Sequence, residues 1–138
     1  MLEMRVVECL RRSIITVEKG MSIRDAARVM KNCGISGVLV MEGSKPVGVL
    51  SDTDLVKALY RGLGKDARVE EVMSRKFFCV DPSATLMEAA RIMTECGVSR
   101  LFVVRGARGE TEVREMPEGI ISVSDIMAAV AGGSCEGC

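Results

Sequence analysis

Histidine is absent from the 138 residues. With it go the commonest general base, the commonest metal ligand and the side chain that titrates near neutral pH, so most enzymatic readings lose their chemistry. Tryptophan is absent as well, and one Tyr with three Phe offers too few rings for a platform that stacks nucleic-acid bases. Lys plus Arg and Asp plus Glu number 19 each. Without a basic surplus, neither nucleic acid nor an anionic membrane is an expected partner. No apolar run approaches the ~18 residues of a membrane span, and no apolar stretch near the N-terminus leads into a small-residue cleavage site. A cytoplasmic location is therefore expected, and with it reduced thiols for the six cysteines at 9, 33, 79, 96, 135 and 138.

What the chain does have is a repeat. A composition of 48% hydrophobic and 28% charged residues suits one compact domain or two small copies sharing a core. A shift of 63 aligns Ser22 to Ser36 with Thr85 to Ser99, and seven of those fifteen positions are identical, against roughly one expected by composition. The same shift pairs Val6-Val7-Glu8 with Val69-Glu70-Glu71. Further on the shift becomes 71, and Gly48 to Leu55 aligns with Gly119 to Ile126. The second copy therefore carries an eight-residue insertion within Arg105 to Glu118, a charged stretch that reads as a surface loop or a lengthened hairpin.

Periodicity switches in the same order in both copies. Ile14 to Val17 is a short β-branched run, after which Ser22-Ile23-Arg24-Asp25 predicts a capped helix start. Ile23, Ala26, Ala27 and Met30 fall on one face of that helix, as do Leu86, Ala89, Ala90 and Met93 of the next, with Gly34 and Gly97 as stops. Val38 to Met41 and Pro46 to Leu50 predict two buried strands joined by a tight turn, matched by Leu101 to Val104 and Gly119 to Ile121. Asp52 to Tyr60 and Ser124 to Val130 then predict helices. The fold class is α+β, with residues 1–62 as one strand-helix-strand-strand-helix copy, 63–131 as the other and 132–138 as a flexible tail. The ten Met are read as core, and so are Cys33 and Cys96 at matching helix ends.

From about Leu10 to about Val130 these residues resemble the cystathionine-β-synthase-type (CBS) domain family. The tokens that carry the likeness are the A-A-x-x-M helix, the Gly-hydrophobic-Ser strand entry, and Gly-hydrophobic-hydrophobic-Ser-x-x-Asp at the close of each copy. The resemblance implies a tandem CBS pair, or Bateman module, packed with pseudo-twofold symmetry. It implies clefts between the two copies that take AMP, ADP, ATP, S-adenosylmethionine or a cyclic dinucleotide, and a homodimer that signals to itself or to an effector protein. It also marks Arg100, after Gly97-Val98-Ser99, as a phosphate contact. The first copy departs from the pattern, with Gly37 at that position.

Ser51 with Asp54, and Ser122 with Asp125, stand three apart where a strand becomes a helix. A carboxylate there can accept both hydroxyls of a ribose, while the Ser hydroxyl and the helix-start amides can meet phosphate. The same spacing also makes a helix cap and nothing more. Ser124 adds a hydroxyl for phosphate or caps the last helix. Gly48 and Gly119 suit the close approach of a ligand to backbone, and Val49, Ile120, Ile35 and Val98 would wall the adenine. Ser36, Ser99, Ile14 and Phe77 complete the candidate set. Cys135 and Cys138 form a C-x-x-C, two of the four ligands that a structural zinc needs, and would serve metal or thiol sensing only with help from elsewhere. The expected function is a non-catalytic module that senses an adenosine nucleotide and requires no cofactor; a metal or thiol sensor, or a ligand-free scaffold, is the alternative.

Overall fold

Ser22, Thr85, Ser51 and Ser122 each stop a strand or loop in extended backbone and let a helix begin. In the computed structural model, which describes residues 3–132, the Ser22 hydroxyl accepts the Asp25 amide at 3.2 Å and the Thr85 hydroxyl accepts that of Glu88 at 3.1 Å. Left-handed backbone at Gly34 (φ 64°) and Gly97 (φ 67°) ends the two helices so begun, a conformation that costs glycine nothing.

Two compact units result. One comprises Ile15–Lys76 with Arg114–Met116 and contains β1 (Thr16–Glu18), α1 (Ile23–Cys33), β2 (Gly37–Glu42), β3 (Lys45–Ser51), α2 (Asp52–Tyr60) and α3 (Val69–Val72). Its sheet runs β1-β2-β3, parallel then antiparallel. Val17, Ala26, Met30, Val38, Val40, Leu50 and Val69 form its core. The alternating burial of β3 turns Val47 and Val49 halfway to solvent while Leu50 is fully covered; covering such a leucine is worth ~2 kcal/mol.

The other unit joins the N-terminal segment up to Ile14 to Phe77–Val113 and the chain from Pro117. After a 3-10 turn at Val6–Glu8 it contains β4 (Phe78–Val80), α4 (Leu86–Cys96), β5 (Arg100–Val103), β6 (Arg108–Glu110), β7 (Gly119–Ser122) and α5 (Val123–Val130), with sheet order β6-β4-β5-β7. The insertion is neither a bare loop nor a lengthened hairpin. Its strand β6 pairs antiparallel with β4 rather than with the preceding β5, because Ala107 and Val113 are apolar enough to be buried there.

The units divide the chain differently from the repeats. Each copy's leading segment packs onto the body of the other: Arg5 bridges Thr85, and Arg68 bridges Ser22. Both arginines use the same bonds. The Arg5 amide donates to Glu8 at 2.7 Å and its guanidinium to the Ser83 carbonyl at 3.0 Å, while Arg68 repeats this with Glu71 at 2.6 Å and Gly20 at 3.0 Å. A sequence boundary at 62/63 therefore lies ahead of the segment that the first unit keeps.

Several packing expectations need correction. Cys33, at the last residue of α1, is exposed, whereas Cys96 is half-buried against its core. Met30 and Met93 are core, but Met87 and Met127 are exposed on α4 and α5. Cys9 is fully buried, next to Val6 and Leu10 in the core of its unit.

Candidate functional site

Each candidate corner is the junction of an edge strand with the helix that follows. At the first, β3 ends on Ser51 and α2 begins on Asp52. The Ser51 amide donates to Asp54 Oδ2 at 2.9 Å, and the Ser51 hydroxyl accepts the Asp54 amide at 3.2 Å. This is a reciprocal cap. Thr53 Oγ1 lies 2.9 Å from Ser51 Oγ, and the Asp52 amide donates to the Ser36 carbonyl at 2.9 Å. Gly37 stands opposite Ser51 in the β2–β3 ladder. Asp54 is half-buried, and no cation pairs with it among the described residues.

The second corner repeats the plan with different contacts. The Ser122 amide donates to Asp125 Oδ2 at 2.8 Å, but here the Ser122 hydroxyl also donates to that oxygen, at 3.1 Å. Ser124 Oγ lies 2.7 Å from Ser122 Oγ, and the Val123 amide donates to the Ser99 carbonyl at 2.9 Å. Arg100 stands opposite Ser122 in the β5–β7 ladder. Arg11 reaches in from the N-terminal segment, its Nε donating to Asp125 Oδ1 at 3.3 Å. Asp125 is only 6% exposed, while Arg11 is 49% exposed.

The two glycines do meet a close neighbour, and it is the chain's own backbone. A Cβ on Gly48 would lie 2.7 Å from the Ser74 carbonyl oxygen and 2.6 Å from Met73 Sδ. On Gly119 it would lie 2.6 Å from the Arg11 carbonyl oxygen and 2.5 Å from Leu10 Cδ1. Val49 exchanges backbone bonds of 2.8 and 2.9 Å with Ser74, and Ile120 the same pair with Arg11. The edges of β3 and β7 are thus covered, leaving the side chains of Val49 and Ile120 half-exposed. Ile14, Ile35 and Val98 are half-buried too, the last two packed on their own cores. Phe77 is buried, edge-on to Phe102 at 6.0 Å.

So each corner gathers its Ser, its Asp and the carbonyl of Ser36 or Ser99, and sequence reasoning missed three residues in all, Thr53 and Ser74 at the first corner and Arg11 at the second. Thr53 was legible as the partner of Ser124 under the shift of 71. Arg11 and Ser74 are paired by the shift of 63, but their unlike side chains gave no signal. Cys135 and Cys138 lie outside the described residues. Among the described residues no cluster of His, Cys, Asp and Glu could hold a metal ion, and no helix is long and apolar enough to cross a membrane.

Two strand-helix-strand-strand-helix copies, each closing on a Ser-capped corner with an Asp three residues on, define a duplicated regulatory module of the CBS-pair type. The family model described as CBS domain matches residues 6–61 and again 69–132, and the chain belongs to that family. An uncharacterized protein of Methanocaldococcus jannaschii is 30% identical over 105 residues, which is 75% of this chain and 38% of that protein. The CBS domain-containing protein YhcV of Bacillus subtilis is 27% identical over 100 residues, 72% of this chain and 71% of YhcV. The chain spans between 19% and 55% of the length of three of the curated relatives it matches. Among solved structures, a CBS-domain protein from Burkholderia ambifaria MC40-6 superposes with a TM-score of 0.76 at 30% identity, covering 88% of this chain and 85% of that one. The CBS domain pair of protein MJ0100, in complex with 5′-methylthioadenosine and S-adenosyl-L-methionine, superposes with a TM-score of 0.78 at 25% identity, covering 94% and 97%.

Proposed function

We propose that the chain is a non-catalytic sensor that binds an adenosine nucleotide, such as AMP, ADP, ATP or S-adenosylmethionine, by its ribose and phosphate at the strand-to-helix corners. The observation that carries this reading is the carboxylate of Asp54. It is half-buried, fixed by the Ser51 amide at one oxygen and accepts nothing from the described residues at the other. A fixed carboxylate with a spare oxygen suits a vicinal diol, whose two donors it accepts together. Ser51 and Thr53 add hydroxyls beside it. The complex of the MJ0100 pair with two adenosine compounds supports an adenosine ligand.

Self-association belongs to the same reading. Val56, Leu59 and Tyr60 on α2 are 65%, 63% and 93% exposed, and α5 likewise leaves Val123, Met127 and Val130 exposed. Apolar faces of this kind favour a second copy, and binding the ligand more tightly in one arrangement would pass its presence to that copy or to an effector. Thermal-shift and calorimetric titration with AMP, ADP, ATP and S-adenosylmethionine tests the function, because a ligand that binds only the folded state raises the midpoint. Asp54→Glu keeps a capping carboxylate but displaces it from the diol. Binding is expected to weaken at least tenfold, and a variant that binds like the wild type sinks the ribose role.

A further inference from the structure

The two corners share a pattern but not an occupant. Under the shift of 63, Arg11 corresponds to Ser74, and both residues cross the glycine that precedes their corner. The crossing is the same at the backbone, with paired bonds to Ile120 and to Val49. Only the side chains differ. Serine at 74 carries no charge to offer Asp54, whereas Arg11 sends Nε to Asp125 Oδ1 at 3.3 Å.

The consequence is a difference in free acceptors. Asp125 Oδ2 takes both the amide and the hydroxyl of Ser122, Oδ1 takes Arg11, and the side chain is 6% exposed. Asp54 is half-buried and holds Oδ1 clear of the described residues. A ribose approaching Asp125 must displace a guanidinium from a carboxylate in a covered site, where charge-assisted bonds are the strong ones. One approaching Asp54 meets no such cation among the described residues.

We infer that Arg11 acts as a built-in occupant of the second corner, holding it shut to a nucleoside diol, so that the first corner is the chain's ribose-binding site. This rests on the reading of the corners as nucleotide sites and names which of them works. Arg11 is a specificity-determining residue by exclusion, and the stoichiometry is one nucleotide per chain.

The test is calorimetric stoichiometry with AMP and with S-adenosylmethionine as probes. The wild type is expected to bind one equivalent, Asp54→Ala to lose it, and Asp125→Ala to retain it with affinity within about threefold. Arg11→Ser, which installs the residue of the matching position, is expected to bind two equivalents, and Arg11→Met to do the same with the stem retained. Unfolding curves of both variants establish that they fold. Two equivalents in the wild type, loss of binding in Asp125→Ala but not in Asp54→Ala, or one equivalent in both Arg11 variants would each overturn the inference while leaving nucleotide binding standing. Absence of binding by every variant and by the wild type would overturn both.

Discussion

The corner at Ser51 and the corner at Ser122 begin from one pattern and end with different accessibility. Both fix the Asp carboxylate with the Ser amide, both set a second hydroxyl beside the first, and both lend the first helix amide to a Ser carbonyl from the neighbouring strand. Those bonds belong to the fold, since a helix start needs its donors satisfied. What separates the corners lies outside the pattern, in one residue of the leading segment that reaches each of them from the other copy. Duplication thus repeats the cap and leaves the access free to vary.

The backbone half of that comparison is the easiest to break. Gly119→Ala places a Cβ 2.6 Å from the Arg11 carbonyl and 2.5 Å from Leu10. Moving a paired backbone segment should cost about 2–3 kcal/mol in urea denaturation. Gly48→Ala meets the Ser74 carbonyl at 2.7 Å but otherwise the flexible Met73, and should cost less. Next comes the cap. Asp125→Ala removes the acceptor of the Ser122 amide and of Arg11 together and is expected to cost about 2 kcal/mol. Asp54→Ala, with no cation to orphan, should cost about 1 kcal/mol. Equal losses in that pair would mean that Arg11 contributes nothing to the second corner.

The repeat made most of this architecture legible. Helix α2 and the stops at Gly34 and Gly97 follow from local chemistry, because a capping hydroxyl, an apolar face and a glycine act within one or two turns. Strands β2, β3, β5 and β7 agree to within a residue or two for the same reason. The exchange of leading segments was not legible, since it depends on which body a short segment meets. Nor was the destination of Arg11, a charged residue that the sequence shows only as unlike Ser74. Gly48 and Gly119 suit close approach of a ligand, but what approaches them in the structure is the backbone of Ser74 and of Arg11, and composition cannot distinguish a ligand from the chain's own backbone. The added strand β6 escaped notice because Arg108-Gly109-Glu110 has none of the residues that favour strands.

That added strand supplies the smaller tests of how the copies differ. Cys79 on β4 corresponds to Thr16 on β1, which is exposed, whereas Cys79 lies between β5 and β6 and is fully buried. Burial pushes its thiol up to about 12, against the opposing pull of the Thr111 hydroxyl. At pH 8 it should stay unmodified by a thiol reagent over the time in which exposed Cys33 reacts fully; rapid labelling of Cys79 would show that β6 opens.

The smallest effect concerns Asp81, which accepts the Gly106 amide at 2.6 Å and both donors of Ser83. The Gly106 amide first, and then Ser83, hold this carboxyl below its ordinary 3.8. An acid depressed in the folded state stabilises the fold above its unfolded value and loses that contribution as pH falls through the folded one. The turn leading into β6 should therefore hold at pH 5 and loosen only below pH 3.8. Followed by the Gly106 amide resonance, the transition should vanish in Asp81→Ala. In the first copy Glu18 takes the matching Gly43 amide at a longer 3.2 Å, so Glu18→Ala is expected to disturb its turn less. A transition in the second copy centred above pH 3.8 would show that Asp81 does not anchor the insertion.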